Sequence, residues 1–269
     1  MAGIWPGTTQ CAALISFDVD GVSSWLRRNP DFARYPSMMS MAEYGPSVAT
    51  PRILDLLDSH AIKGSFYIPG YVAETHPDLV REIVRRGHEV SHHGYMHEPP
   101  ASMDPAEEEQ VLVRGIEILE GLTGYRPPGY RSPSWELSEV SLDLLCSYGF
   151  SYDSSMMGDD APYTLQTSQG SIVEIPVCWL LDDAPHFAHA PGAQRIGPMK
   201  NPDEVYASWA AEFEGLYHYG RAFILTMHPQ YIGRPGRLMM LDRLLHHIKT
   251  FPNVTFMTAH QMSQLWTGG

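Results

Sequence analysis

The sequence predicts a single α/β domain built as a barrel of about seven strands, and three observations carry that expectation. Short apolar runs of strand length alternate with amphipathic runs of helical spacing along nearly the whole chain. Repeated strand–helix units give parallel strands with covering helices, as an open sheet or a (β/α) barrel. Seven or so such units in 269 residues favour the barrel. One large domain over residues 1–269 also fits that length better than two half-size ones.

Residues 12–20 (AALISFDVD) read as a buried strand, and 46–60 carry apolar residues at helical spacing. Residues 64–68 are the next strand, and 77–86 a helix with Pro77 at its start. A strand at 88–91 precedes a long helix at 104–121, with Asp104 as N-cap, Pro105 behind it and acidic residues in the first turn. A short strand at 130–132, a helix at 138–148 and a strand at 171–178 follow. The chain closes with helices near 203–218, 237–250 and 258–266, alternating with strands at 221–227 and 253–257. The stretches 23–45 and 179–202 are longer than ordinary connections and rich in Pro, Met or aromatic residues, which marks them as candidate active-site loops. Their bulky side chains, Trp25, Tyr35 and Met38–Met41 in one and Trp179 and Phe187 in the other, are suited to roofing a pocket or building subunit contacts.

Composition narrows the partners. The formal charge of −13 argues against nucleic acid or an anionic membrane, both of which want a basic face. No run approaches 18 apolar residues, and MAGIWPGTTQ has neither a basic start nor a long apolar core, so the expected address is the cytoplasm. Cys11, Cys146 and Cys178 share no metal-binding spacing and read as reduced, mostly buried thiols.

Four segments carry chemistry. Phe17-Asp18-Val19-Asp20-Gly21 ends the first strand, and alternation puts Asp18 and Asp20 on one face. Two carboxylates there need a cation or a catalytic role, although an Asp–Gly turn is an equally ordinary reading of the segment alone. His93 and His97 are four residues apart, so one helical turn would aim both imidazoles at one point; two loop histidines bonded to backbone or water are the alternative. His92 lacks such a partner and reads as structural. Asp20, His93 and His97 together offer one oxygen and two nitrogens, the open three-ligand layout of a catalytic zinc site, and leave Asp18 to take a proton. His228 ends a buried strand and can converge on the same rim, or be a satisfied structural histidine. Arg131, in GYRSPSWE, is placed to pair with an acidic group, or to lie on a surface loop.

Taken in order, these residues resemble the NodB-homology polysaccharide deacetylase family, carbohydrate esterase family 4, across roughly residues 12–265. FDVDG is similar to its TFDDG motif, HGYMH to H-[ST]-x-x-H, Arg131-Ser132-Pro133 to R-x-P, and Leu225-Thr226-Met227-His228 to L-x-x-H. The resemblance implies a distorted NodB-like (β/α) barrel and a divalent metal, usually zinc, on Asp20, His93 and His97. It further implies Asp18 as base, His228 as general acid and Arg131 as support for the base. Trp135 and Glu136 in the SPSWE segment, with Trp179, are the substrate-binding candidates.

The departures are informative. Val19 separates acids that the family motif has adjacent, Gly94 stands where Ser or Thr is usual, and no D-x-x-x-W occurs, with Asp153 in the corresponding region. The spaced D-V-D and the HHGYMHE string resemble a divergent branch that includes a Helicobacter-type peptidoglycan deacetylase and enzymes opening cyclic imides or allantoin-like ureides. Some ureide-opening members lack the metal ligands; this chain keeps all three. The expected activity is therefore metal-dependent cleavage of a non-peptide C–N amide bond, first as removal of N-acetyl groups from amino sugars. Its alternative is an amidohydrolase opening a small cyclic imide or ureide, which a closed, small pocket would favour. A non-catalytic carbohydrate-binding relative is a third reading, disfavoured because Asp18 and His228 are both present. The partner is accordingly an amino sugar or small molecule, and the branch resemblance leaves room for a homo-oligomer.

Overall fold

The structure, a computed structural model, describes residues 4–189 and 199–267. Residues 190–198 of the second irregular stretch lie outside it. Strands β1 (Cys11–Asp18), β2 (Ser65–Ile68), β3 (Glu89–His92), β4 (Gly129–Tyr130), β5 (Tyr152–Asp153), β6 (Tyr163–Thr167), β7 (Gly170–Glu174), β8 (Ala222–Met227) and β9 (Val254–Phe256) form one sheet in the order β6-β7-β5-β4-β3-β2-β1-β8, with β9 also on β1. Every pair is parallel except the β6–β7 hairpin.

Helices cover the sheet, as the alternation predicts: α1 (Ser23–Arg28), α2 (Pro36–Tyr44), α3 (Thr50–Ser59), α4 (Gly70–Thr75), α5 (Pro77–Arg85), α6 (Pro105–Thr123), α7 (Ser141–Ser147), α8 (Ala184–Phe187), α9 (Pro202–Tyr219), α10 (Pro229–Ile232), α11 (Pro235–Lys249) and α12 (Ala259–Thr267). Asp104 caps α6 as expected, its carboxylate accepting the Glu107 N–H at 2.9 Å. Among the described residues no helix is long and apolar enough to cross a membrane.

The distortion of the barrel has a location. Among the described residues no strand pair closes the ladder, and past β7 a single parallel bridge, between Asp182 and Thr226, reaches β8. Around that seam the sequence expectation needs two corrections. The sheet has nine strands among the described residues rather than about seven, because β5 is only two residues long and β6 carries no apolar run for the sequence to announce. The stretch 23–45 is largely helical, and its Trp25 and Phe32 make a small core of their own with Ala42. Trp25 and Phe187 are each 1% exposed, so they are core residues and not a roof.

Strand parity sorts the residues into two layers. Odd positions of β1, from Cys11 to Phe17 and on to Val19, pack outward with Ile53 and Leu57 of α3, Trp209 and Phe213 of α9, and Leu241 and Leu245 of α11. Ala12 and Leu14 point the other way and meet Tyr67, Tyr152, Val173 and Ile224 in a second cluster at the barrel centre. The inward parity then runs out of apolar residues toward the carboxyl ends, at Ser16 and Asp18 of β1 with Asp20 just beyond it, and at Thr226 of β8 with His228 just beyond it. The three cysteines are free, and only Cys11 is buried; Cys178 is exposed, contrary to the expected burial.

Candidate active site

Those inward residues converge. Asp18 closes β1, and Val19 keeps the chain extended by donating its N–H to the Tyr67 carbonyl at 2.9 Å, so the inserted valine enters the core while both acids face inward. His93 Nε2 lies 3.5 Å from Asp20 Oδ1 and 4.0 Å from Asp18 Oδ2. His97 Nε2 lies 3.6 Å from Asp20 Oδ2. All of these side chains are buried.

The spacing suits a cation. Metal–donor lengths near those of zinc, about 2.0–2.2 Å, put two tetrahedral donors about 3.4 Å apart, close to the two distances at Asp20. Asp20 Oδ1 is buried without a hydrogen-bond partner, an orphan that a cation would satisfy. The tautomer is set correctly too. His93 Nδ1 sits 2.7 Å from the Arg131 carbonyl, which can only accept, so a neutral ring keeps its Nε2 lone pair toward Asp20. Burial pushes His97 down to about 4, leaving a neutral imidazole. Burial opposes the charge on Asp20, but His97, His93 and His228 outweigh it and hold that carboxyl well below the usual carboxylate range.

His92 is structural, as its lack of a partner predicts. Its Nδ1 accepts the Gly94 N–H and its Nε2 meets the Leu112 carbonyl, both at 3.1 Å. Gly115 of α6 is required by this ring: a Cβ there would stand 2.1 Å from His92 Nε2. Gly94, where the family motif has Ser or Thr, has φ +72°, the left-handed region that glycine enters freely.

Arg131 is fully buried, which removes the surface-loop alternative. It donates to Asp18 Oδ1 at 2.8 Å, to Ser16 Oγ at 3.0 Å, and to the carbonyl and hydroxyl of Ser154 at 3.2 and 3.0 Å. Its guanidinium lies 3.9 Å from the centre of the Tyr67 ring. Four of the fork's five N–H donors are engaged, which fixes the guanidinium and with it the orientation of Asp18.

Opposite stands His228, whose Nδ1 is 2.7 Å from Asp183 Oδ1 and 3.5 Å from Asp182 Oδ1. The same Asp183 oxygen accepts the His228 backbone N–H at 3.0 Å. Burial alone would lower the imidazole, but Asp182 and Asp183 outweigh it and hold the ring well above its ordinary value. The sequence reading did not single out these two acids. Their signal was present as adjacent aspartates inside the 179–202 stretch marked as a candidate site loop. Asp153, in the region where D-x-x-x-W was sought, is instead bonded to Ser155 Oγ at 2.8 Å and pushed by burial to about 6.

Asp18, His93, His97 and His228 line one cavity of about 110 Å³ together with Ser134, Trp135 and Trp179. The two indoles lie 4.2 Å apart between ring centroids, Trp135 buried and Trp179 47% exposed. Glu136 is exposed and is not among the lining residues. Its place follows from the backbone: Ser134 and Trp135 both adopt left-handed φ, 62° and 60°, which turns the chain and breaks simple alternation. A larger cavity of about 260 Å³ runs along the open seam past Leu180 and Ile224, but it holds none of the site histidines.

Comparison with known proteins agrees with this geometry. A family model described as polysaccharide deacetylase matches residues 32–152. A peptidoglycan deacetylase of Helicobacter pylori is 30% identical over 91% of this chain and 92% of its own length. A solved structure of a candidate polysaccharide deacetylase from Mycobacterium smegmatis is 39% identical, covers 98% of this chain and 93% of that one, and superposes with a TM-score of 0.95. The PuuE allantoinase structure is 25% identical, covering 98% and 92%, with a TM-score of 0.87. The chain therefore belongs to the polysaccharide deacetylase family, as a deacetylase-type hydrolase acting on a carbon–nitrogen bond.

Proposed function

We propose that this protein is a metal-dependent deacetylase that removes the acetyl group from N-acetylated amino sugars. The observation that carries the reading is the Asp20–His93–His97 trio, spaced for a cation, whose two histidines line the same small cavity as Asp18 and His228. A divalent cation held by those three residues, zinc by its preference for mixed nitrogen and oxygen donors, supplies Lewis-acid polarisation of the acyl carbonyl and acidifies water. Asp18, fixed by Arg131, accepts the proton of the attacking water. His228 Nδ1 is committed to Asp183, so its Nε2–H is the proton available to the departing nitrogen. Arg131 touches no substrate in this scheme; it holds the orientation and the charge of Asp18.

The open mouth of the cavity favours the acetyl reading over ring opening. The cavity is small but not closed, since Trp179 on its lining is 47% exposed, and a small cyclic substrate would want a closed pocket. About 110 Å³ takes the four heavy atoms of an acetamido group, and the open mouth leaves the rest of a sugar outside it. The exposed face of Trp179 offers a stacking surface for a sugar at the mouth, with Trp135 behind it. The test is a side-by-side screen of the zinc-loaded protein against N-acetylglucosamine oligomers and cyclic imides. Acetate release from the oligomers is expected. Ring opening without acetate release would overturn the substrate, and full activity in protein whose metal analysis reads zero would overturn the mechanism.

A further inference from the structure

The backbone between the two ligand histidines is short and sharply bent. Gly94 has φ +72° and His97 φ +62°, and for His97, which carries a Cβ, that conformation is strained and persists only where its surroundings dictate it. Most of the loop's polar groups have backbone or ring partners. Gly94 N–H donates to His92 Nδ1, and the carbonyls of Gly94 and Tyr95 accept the N–H groups of Gly70 and Tyr71, each at 3.0 Å. The next two N–H groups, of Tyr95 and Met96, have a different partner. Both donate to a single oxygen, Oε2 of Glu98, at 3.0 and 2.7 Å. Glu98 is only 9% exposed, so these are charge-assisted bonds largely shielded from water.

We propose that Glu98 is a positioning residue for the metal site. Its carboxylate fills the concavity made by two successive N–H groups and so holds His97 in the left-handed turn that aims Nε2 at Asp20. Gly94 belongs to the same device. Its φ of +72° lets the chain make the turn that presents the two N–H groups, and a Cβ there would crowd Pro133 Cγ at 3.3 Å while meeting Glu98 Oε2 at an ordinary contact of 3.4 Å. The inference rests on the reading of Asp20, His93 and His97 as metal ligands. It does not depend on the substrate.

One oxygen serves both N–H groups, so the amide oxygen of glutamine can replace it and a methyl group cannot. The experiment measures the zinc dissociation constant of the full chain by competition with a chromophoric chelator, for wild type, Glu98→Ala and Glu98→Gln. Loss of an outer partner of a metal ligand weakens binding about 10- to 100-fold, and that loss is expected for Glu98→Ala, with Glu98→Gln within a few-fold of wild type. Wild-type affinity in Glu98→Ala, or equal loss in both variants, overturns the proposal. A second measurement separates its failure from failure of the ligand reading. Amide hydrogen exchange at Tyr95 and Met96 in metal-free protein should accelerate in Glu98→Ala and stay slow in Glu98→Gln, even if wild type binds no zinc. Unchanged exchange in Glu98→Ala sinks the brace on its own.

Discussion

At Asp20 the nearest ring nitrogens stand 3.5 and 3.6 Å away, whereas across the cavity His228 Nδ1 stands 2.7 Å from Asp183. Both clusters combine buried carboxylates with histidines that are buried or, at His228, partly buried, and both line or adjoin one cavity. The first spacing is too long for a hydrogen bond and right for a shared cation; the second is a hydrogen bond that keeps a proton. Charge count reinforces the difference. One carboxylate serves two histidines in the first cluster, and burial leaves His97 neutral with a free lone pair. Two carboxylates serve one histidine in the second, and against the effect of burial they raise His228 well above the ordinary imidazole value. The same residue types are thus set to opposite tasks by ratio and separation, without any change of side chain.

Breaking the first cluster has the largest expected effect. His93→Ala should lose bound zinc, with activity falling by about a thousandfold or more, since the nucleophile and the polarising charge go together. Metal at wild-type occupancy in that variant would count against the ligand assignment. Asp18→Asn tests the boundary between the clusters. It should retain zinc by elemental analysis while turnover falls about 10²- to 10⁴-fold, the range for a lost general base. A variant that turns over normally would remove Asp18 from the role of general base.

The two clusters were unequally legible in the sequence. Asp18, Asp20, His93 and His228 each lie at or just beyond the end of a buried strand, and period-2 parity fixes which face they occupy. Arg131 was legible as a candidate, but the depth of its burial depends on Ser154 and Tyr67 from other strands, which no local pattern reveals. Asp182 and Asp183 lie past the last regular strand of their unit, where the chain crosses the open seam by a single bridge. There the sequence has no period to read, so an acid pair looks like solvated loop. Trp135 and Trp179 stack on one another at the cavity, a contact between distant segments that no local pattern announces, while Glu136 fell outside the lining because two left-handed residues precede it. The α1–α2 region failed for a similar reason: its prolines and methionines read as irregular chain, and only its own small core makes it helical.

The second cluster can be sharpened by titration. His228 acts in the proposed scheme as its protonated form, and its raised value keeps that form present through neutral pH. Activity should therefore fall as pH rises through that value, giving the alkaline limb of the rate profile. Asp183→Asn removes a charge and weakens the hydrogen bond at 2.7 Å, so it lowers the value and should move that limb about 1–3 pH units toward acid. Asp182→Asn should move it in the same direction by about one unit or less, since Asp182 acts at 3.5 Å by charge alone. Asp182 is also itself pushed to about 7, by burial first and then by Asp183, so at neutral pH it carries only part of a charge to lose. Rate profiles of kcat for the two variants, at saturating zinc, separate these contributions. A larger shift from Asp182→Asn than from Asp183→Asn would mean that field rather than hydrogen bonding keeps the proton on His228. The distance contrast between the two clusters would then no longer explain their difference.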